Sequence, residues 1–164
     1  MESFRLFKNS ISKKSSKNFF NFIVKLVNSY DKDFPKDLKY SGWDDPKFNK
    51  FLLSVRKKKD LFSAIYNTAL KSNELQKIPF ENNFHKIASK FLNVDKGNLT
   101  IRNITFRMDP PKDKKNSYGW HQDSAYDKFN VESKNGAILW IPLTDTNKKN
   151  GTLVVKIGSE NTTY

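Results

Sequence analysis

His121 and Asp123 stand one residue apart in the stretch SYGWHQDSAYD, Ser117 to Asp127. In an extended chain, residues i and i+2 leave the backbone on the same face, so an imidazole and a carboxylate at this spacing can aim at one point. Such a pair supplies two of the three ligands of a 2-His-1-carboxylate facial triad. That set holds non-haem Fe(II) and leaves the opposite face of the metal open for oxygen and a cosubstrate. Taken alone, the tripeptide reads better as part of a solvated loop. The chain holds two histidines, His121 and His85, and no cysteine. Thiolate zinc sites and disulfide scaffolds are therefore excluded, and any metal must be held by His, Asp or Glu.

The elements that would position this pair fall into two halves. Residues 1–95 read as helical. In SKNFFNFIVKLVNSY, Phe19, Ile23, Leu26 and Tyr30 recur on one helical face, with Ser16 as the expected N-cap. After a turn-rich stretch from Asp31 to Gly42, Asp45-Pro46 gives an N-cap followed by proline at the first helical position. Phe48, Phe51, Leu52 and Val55 continue that stripe. It breaks at Lys57 to Lys59 and resumes with Leu61, Phe62, Ile65, Tyr66 and Ala69. One long helix or two are both compatible with this pattern, Asp60 capping the second in the latter case. A further short helix carries Phe84, Ile87, Ala88 and Phe91, and His85 falls on it as a partly exposed residue rather than a ligand.

Residues 96–164 change period. NLTIRNITFRM (98–108) alternates residue by residue, GAILWIPL (136–143) is a continuous apolar run, and GTLVVKIGS (151–159) follows a turn that contains Asn150-Gly151. These read as strands, the last two joined by a hairpin. Asp145, Asn150 and Gly151 read as turn formers.

The residues of the second half resemble the phytanoyl-CoA dioxygenase family of Fe(II)- and 2-oxoglutarate-dependent oxygenases. The resemblance rests on Trp120-His121-Gln122-Asp123, then Trp140 to Asp145, then Asn150-Gly151 and Gly158-Ser159, in the family's order and approximate spacing. It implies an α+β fold in which N-terminal helices pack on a double-stranded β-helix, a jelly-roll or cupin-like core. It implies His121 and Asp123 as iron ligands, with Gln122 and Trp140 near the 2-oxoglutarate pocket. For Gln122 an outward polar side chain is the competing reading, and for Trp140 a core aromatic. Arg102, Asn103 and Arg107, on the segment expected to line the same pocket, are unranked candidates. The family's second histidine ligand and its cosubstrate-binding arginine come from well beyond Gly-Ser, where this sequence has Glu160 and stops at Tyr164. A single truncated oxygenase domain with an incomplete barrel is the expectation.

The expected function is therefore hydroxylation of a small organic or lipid-like substrate, with Fe(II) as cofactor and 2-oxoglutarate as cosubstrate. Two other readings are carried beside it: a non-catalytic jelly-roll module that binds a small molecule, and a basic nucleic-acid-binding domain. The formal net charge of +13 favours polyanions. The lysines are scattered, however, and do not alternate with aromatic residues as on a base-stacking surface, so no specific nucleic-acid partner is expected. The longest apolar run, FFNFIVKLV (19–27), is interrupted by Asn21 and Lys25 and is too short to span a bilayer. A soluble, cytoplasmic protein without membrane insertion is expected.

Overall fold

A computed structural model describes residues 4–109, 119–122 and 136–159. Six α-helices are seen among them: α1 (Lys13–Tyr30), α2 (Pro46–Lys57), α3 (Lys59–Leu70), α4 (Asn73–Gln76), α5 (Ile78–Glu81) and α6 (Phe84–Leu92). A 3-10 turn follows at Lys96–Asn98. Sequence expectations for residues 110–118, 123–135 and 160–164, Asp123 among them, lie outside the described residues.

α1 starts one turn earlier than its apolar stripe suggests. Its N-cap is Ser12, whose hydroxyl accepts from the backbone N–H of Ser15 at 3.0 Å. Ser16, the expected cap, lies inside the helix and bonds elsewhere. The capping serine also places the helix end, because the Ser12 N–H donates to Asn82 Oδ1 at 2.7 Å and the buried Ser15 donates to Glu81 Oε2 at 3.0 Å. α2 begins as its sequence demands. Asp45 caps it, accepting from Lys47 N at 2.8 Å and Phe48 N at 3.3 Å, and Pro46 occupies the first turn. The long-helix alternative is resolved as two helices broken at Lys58. Asp60 lies in the first turn of α3 and does not cap it. Its negative charge there still suits the helix dipole.

The core is aromatic and is centred on α1. Phe19, Phe20, Ile23 and Val27 are buried, against Phe48 and Val55 of α2 and Ile65 and Ala69 of α3. Phe20 meets both Trp43 and Phe48 edge-on, with ring centroids 5.0 Å apart in each case. This T-shaped geometry sets the positive edge of one ring on the negative face of the next. Tyr30, expected on the buried face, is the last residue of α1 and is exposed; its hydroxyl pairs with Thr68 Oγ1 at 3.0 Å.

The expected jelly-roll core is corrected by the structure. Among the described residues there is no β-strand, and residues 98–108, 136–143 and 151–159, read as strands, are irregular apart from Asn98, which ends the 3-10 turn. The side-chain pattern that motivated the reading is nevertheless present in the first of them. Phe106 and Met108 are buried and Ile104 is half-buried, while Thr105 and Arg107 are exposed. Alternation fixes which side chains face the core, but a strand also needs a neighbouring backbone for its N–H and C=O groups. Here the Phe106 ring meets the Phe19 ring of α1 edge-on at 5.0 Å, and the Phe106 carbonyl accepts from the Tyr66 hydroxyl of α3. A helix side chain stands where a ladder partner would be. In residues 136–140 and 153–157 the apolar side chains are exposed, Ile138 at 63% and Ile157 at 78%, and no sheet or helix among the described residues covers them.

A turn does form between these two segments, although without flanking strands it is not the hairpin expected. Asn150 accepts from Asn147 N at 2.6 Å through Oδ1 and donates through Nδ2 to the Asp145 carbonyl at 2.8 Å. Gly151 adopts φ +88°, a value that favours glycine. No helix among the described residues is long and apolar enough to cross a membrane.

Candidate functional site

His121 lies exposed in the short described segment 119–122, outside the helices. Its Nδ1 is 2.8 Å from the Gly119 carbonyl oxygen. A carbonyl can only accept, so Nδ1 must carry the hydrogen. In the neutral ring the lone pair is then on Nε2. Fixing the tautomer by a backbone bond on the far nitrogen is how proteins prepare a histidine for a metal. Asp123, the second expected ligand, lies outside the described residues.

Gln122 is half-buried, and its Nε2 donates to the Ser159 carbonyl at 2.9 Å across 37 residues. The structure thus joins two parts of the sequence pattern, the His-Gln-Asp segment and the Gly-Ser turn. Gly158 adopts φ +79°, and the Ser159 hydroxyl donates to the Lys156 carbonyl at 2.8 Å, so the turn that presents the acceptor is itself bonded.

Trp140 is 45% exposed and lies outside the buried core. Its segment is held at the far end. The Leu143 carbonyl accepts from Ser16 Oγ of α1, the Thr144 hydroxyl donates to Asp44 Oδ2, and Ile141 and Leu143 pack against the core. Trp43 Nε1 donates to the same Ser16 hydroxyl at 3.1 Å. Ser16, Trp43 and Asp44 are the docking residues that the sequence reading missed. The apolar stripe hides Ser16, because its role is fixed by residues more than a hundred positions away.

The three unranked polar residues separate. Arg107 pairs with Asp109 at 3.0 Å. Arg102 and Asn103 border a shallow groove shared with Leu70, Lys71 and Gln76 at the α3–α4 junction. His85 is half-buried on α6.

The donor chemistry around His121 suits a borderline metal such as Fe(II): an imidazole of the appropriate tautomer followed in sequence by a carboxylate. Among the described residues no group of three or more His, Asp or Glu side chains converges on one point. The described part of the chain therefore fits one ligand of an iron site and presents no complete one.

The histidine segment is thus fastened to the Gly158-Ser159 turn through Gln122. The sequence model of the phytanoyl-CoA dioxygenase (PhyH) family matches residues 20–163, and the chain belongs to this family of Fe(II)- and 2-oxoglutarate-dependent oxygenases. No curated protein and no solved structure matches it significantly.

Proposed function

We propose that this chain contributes His121 and Asp123 as iron ligands to an Fe(II)- and 2-oxoglutarate-dependent oxygenase that hydroxylates a small organic or lipid-like substrate. Family membership supports the general chemistry. The observation that carries the assignment of His121 is its Nδ1 bond to the Gly119 carbonyl, which leaves Nε2 as the basic nitrogen of the neutral ring. When bound, the iron supplies the redox chemistry that couples oxidation of 2-oxoglutarate to oxidation of the substrate. The chain's own contributions are simpler. The Gly119 carbonyl holds the proton on Nδ1 and orients the ring. Asp123 adds a hard anionic oxygen. Trp140, exposed beside the docked Ile141–Leu143 stretch, offers an aromatic face to cosubstrate or substrate.

The test is metal binding, read apart from turnover. Anaerobic Fe(II), and Co(II) as its spectroscopic stand-in, is titrated into the full chain and into His121→Ala, Asp123→Ala and His85→Ala. Perturbing even an outer partner of a ligand weakens metal binding about 10- to 100-fold, so loss of His121 or Asp123 should cost at least that much, while His85→Ala should bind as wild type does. Succinate formation from 2-oxoglutarate is the parallel activity readout. Binding that survives both His121→Ala and Asp123→Ala, or that disappears in His85→Ala, overturns the assignment. So does a wild-type chain that binds neither metal.

A further inference from the structure

We infer that Gln122 is a positioning residue for His121, acting through the Gly158-Ser159 turn; as a statement about metal affinity this rests on the iron reading above. The Nδ1 bond of His121 is local, reaching back two residues to Gly119. It orients the ring within its own loop but does not attach that loop to the rest of the molecule. The Gln122 amide makes such an attachment, at 2.9 Å to a backbone carbonyl 37 residues away. The acceptor is well chosen for the task. A backbone oxygen does not rotate away as a side chain does, and this one sits in a turn fixed by the Ser159–Lys156 bond and by the left-handed conformation of Gly158. Gln122 is half-buried whereas His121 beside it is exposed. The amide therefore anchors while the imidazole faces outward. Side chains that orient a ligand without touching the metal typically change its affinity about 10- to 100-fold.

Two substitutions address opposite ends of the bond. Gln122→Ala removes the donor. Gly158→Ala displaces the acceptor, and because no described atom beyond its chain neighbours lies within 4 Å of the added methyl, its effect is read as that of the positive φ. Ser159→Thr keeps both the carbonyl and the hydroxyl and serves as the neutral control. The first readout needs no metal: ¹⁵N-edited NMR of the neutral His121 ring reports the share of the Nδ1–H tautomer. The second is Co(II) affinity of the same full-length variants, with circular dichroism confirming that the helices persist. We expect Gln122→Ala and Gly158→Ala both to shift His121 toward the tautomer mixture of a solvent-exposed imidazole and to weaken Co(II) binding about 10-fold or more, with Ser159→Thr unchanged. A tautomer ratio unaltered in Gln122→Ala overturns the inference. If Co(II) binding falls nonetheless, Gln122 touches the metal or cosubstrate directly instead of positioning the ring. If the tautomer shifts as expected but wild type binds no metal, the positioning role stands and the iron assignment fails.

Discussion

The Trp43 indole donates to the Ser16 hydroxyl at 3.1 Å, and that hydroxyl passes its own hydrogen to the Leu143 carbonyl. One serine on α1 therefore connects the loop before α2 to the segment that carries Trp140. Replacing Ser16 by alanine strips an acceptor from the indole and a donor from the carbonyl in a half-buried position. Leaving such groups unsatisfied costs about 1–3 kcal/mol. Urea unfolding should show the loss as a lower midpoint, and tryptophan fluorescence should show greater solvent exposure in the native baseline. An unchanged midpoint would mean that water replaces the hydroxyl without penalty.

Phe19 is the residue on which α1, the loop at Trp43 and the extended segment at Phe106 converge, with ring centroids 6.0 and 5.0 Å away respectively. It is 1% exposed. Phe19→Ala should destabilise the chain by about 3–5 kcal/mol, since the lost transfer energy is joined by that of an unfilled cavity. Phe19→Leu, which keeps most of the volume, should cost less. Equal losses in a thermal or denaturant melt would indicate that ring geometry, not volume, sets the cost.

Lys58 sits at the break between α2 and α3 and reaches Asp31 at 3.0 Å and Asp33 at 3.0 Å. Asp31 is buried at the end of α1, so this ammonium ties the elbow to that end. Hydrogen bonds to Asp33, then Asp31, raise the Lys58 pKa above its ordinary value of 10.5. A raised pKa stabilises the fold fully below 10.5 and ceases to do so as pH climbs through the higher folded value. Lys58→Met should lower Tm at neutral pH and flatten the decline of Tm above pH 10.5. A variant whose alkaline decline parallels that of wild type would show that another group governs it.

Asp45 behaves in the opposite sense. The Ser41 backbone N–H, followed by those of Lys47 and Phe48 and by the Ser41 hydroxyl, holds its carboxyl below the ordinary 3.8, against a smaller opposing effect of desolvation. Its stabilisation is present above 3.8 and disappears as pH falls through the lower folded value. Asp45→Asn keeps one N-cap acceptor but loses the charge and the second oxygen that accepts from Ser41, so it should melt below wild type at neutral pH, with a gap that narrows below pH 3.8. Asp45→Ala should be destabilised at both. Identical acid limbs for wild type and the Asn variant would discount the charge.

The helical layer was legible in the sequence where local chemistry decides, and less so where it does not. Asp45-Pro46 starts a helix with groups two and three residues away, and the stripes of α2 and α3 repeat within a turn or two. The start of α1 was misplaced because KKSS carries no apolar residue, so the stripe begins only at Phe19 although the backbone already turns at Ser12. Alternation in 98–108 is real, and Phe106 and Met108 lie buried on one side of it. It did not establish a strand, which is a property of two segments and not of one. Around the candidate site, the sequence supplied His121 and Gln122 as residue types, and the fold supplied their partners. That the Gly119 carbonyl selects a tautomer, and that Gln122 reaches Ser159, are matters of chain path that no spacing encodes. Asp123 was legible only as a residue type at the right interval.

The docking of Leu143 and Thr144 onto Ser16 and Asp44 also sets an order of events. α1, α2 and α3 meet through modest sequence separations, whereas these bonds close loops of 127 and 100 residues. Loop-closure entropy grows with the length spanned, and distant contacts form slowly unless a surface already waits for them. The aromatic helical layer is that surface. In refolding, hydrogen-exchange labelling should protect α1 before residues 136–145, and on the ribosome the helices would have been made well before Leu143 emerged. The N-terminal layer then acts as a template on which the later chain is registered, one serine hydroxyl and one carboxylate marking where it must land.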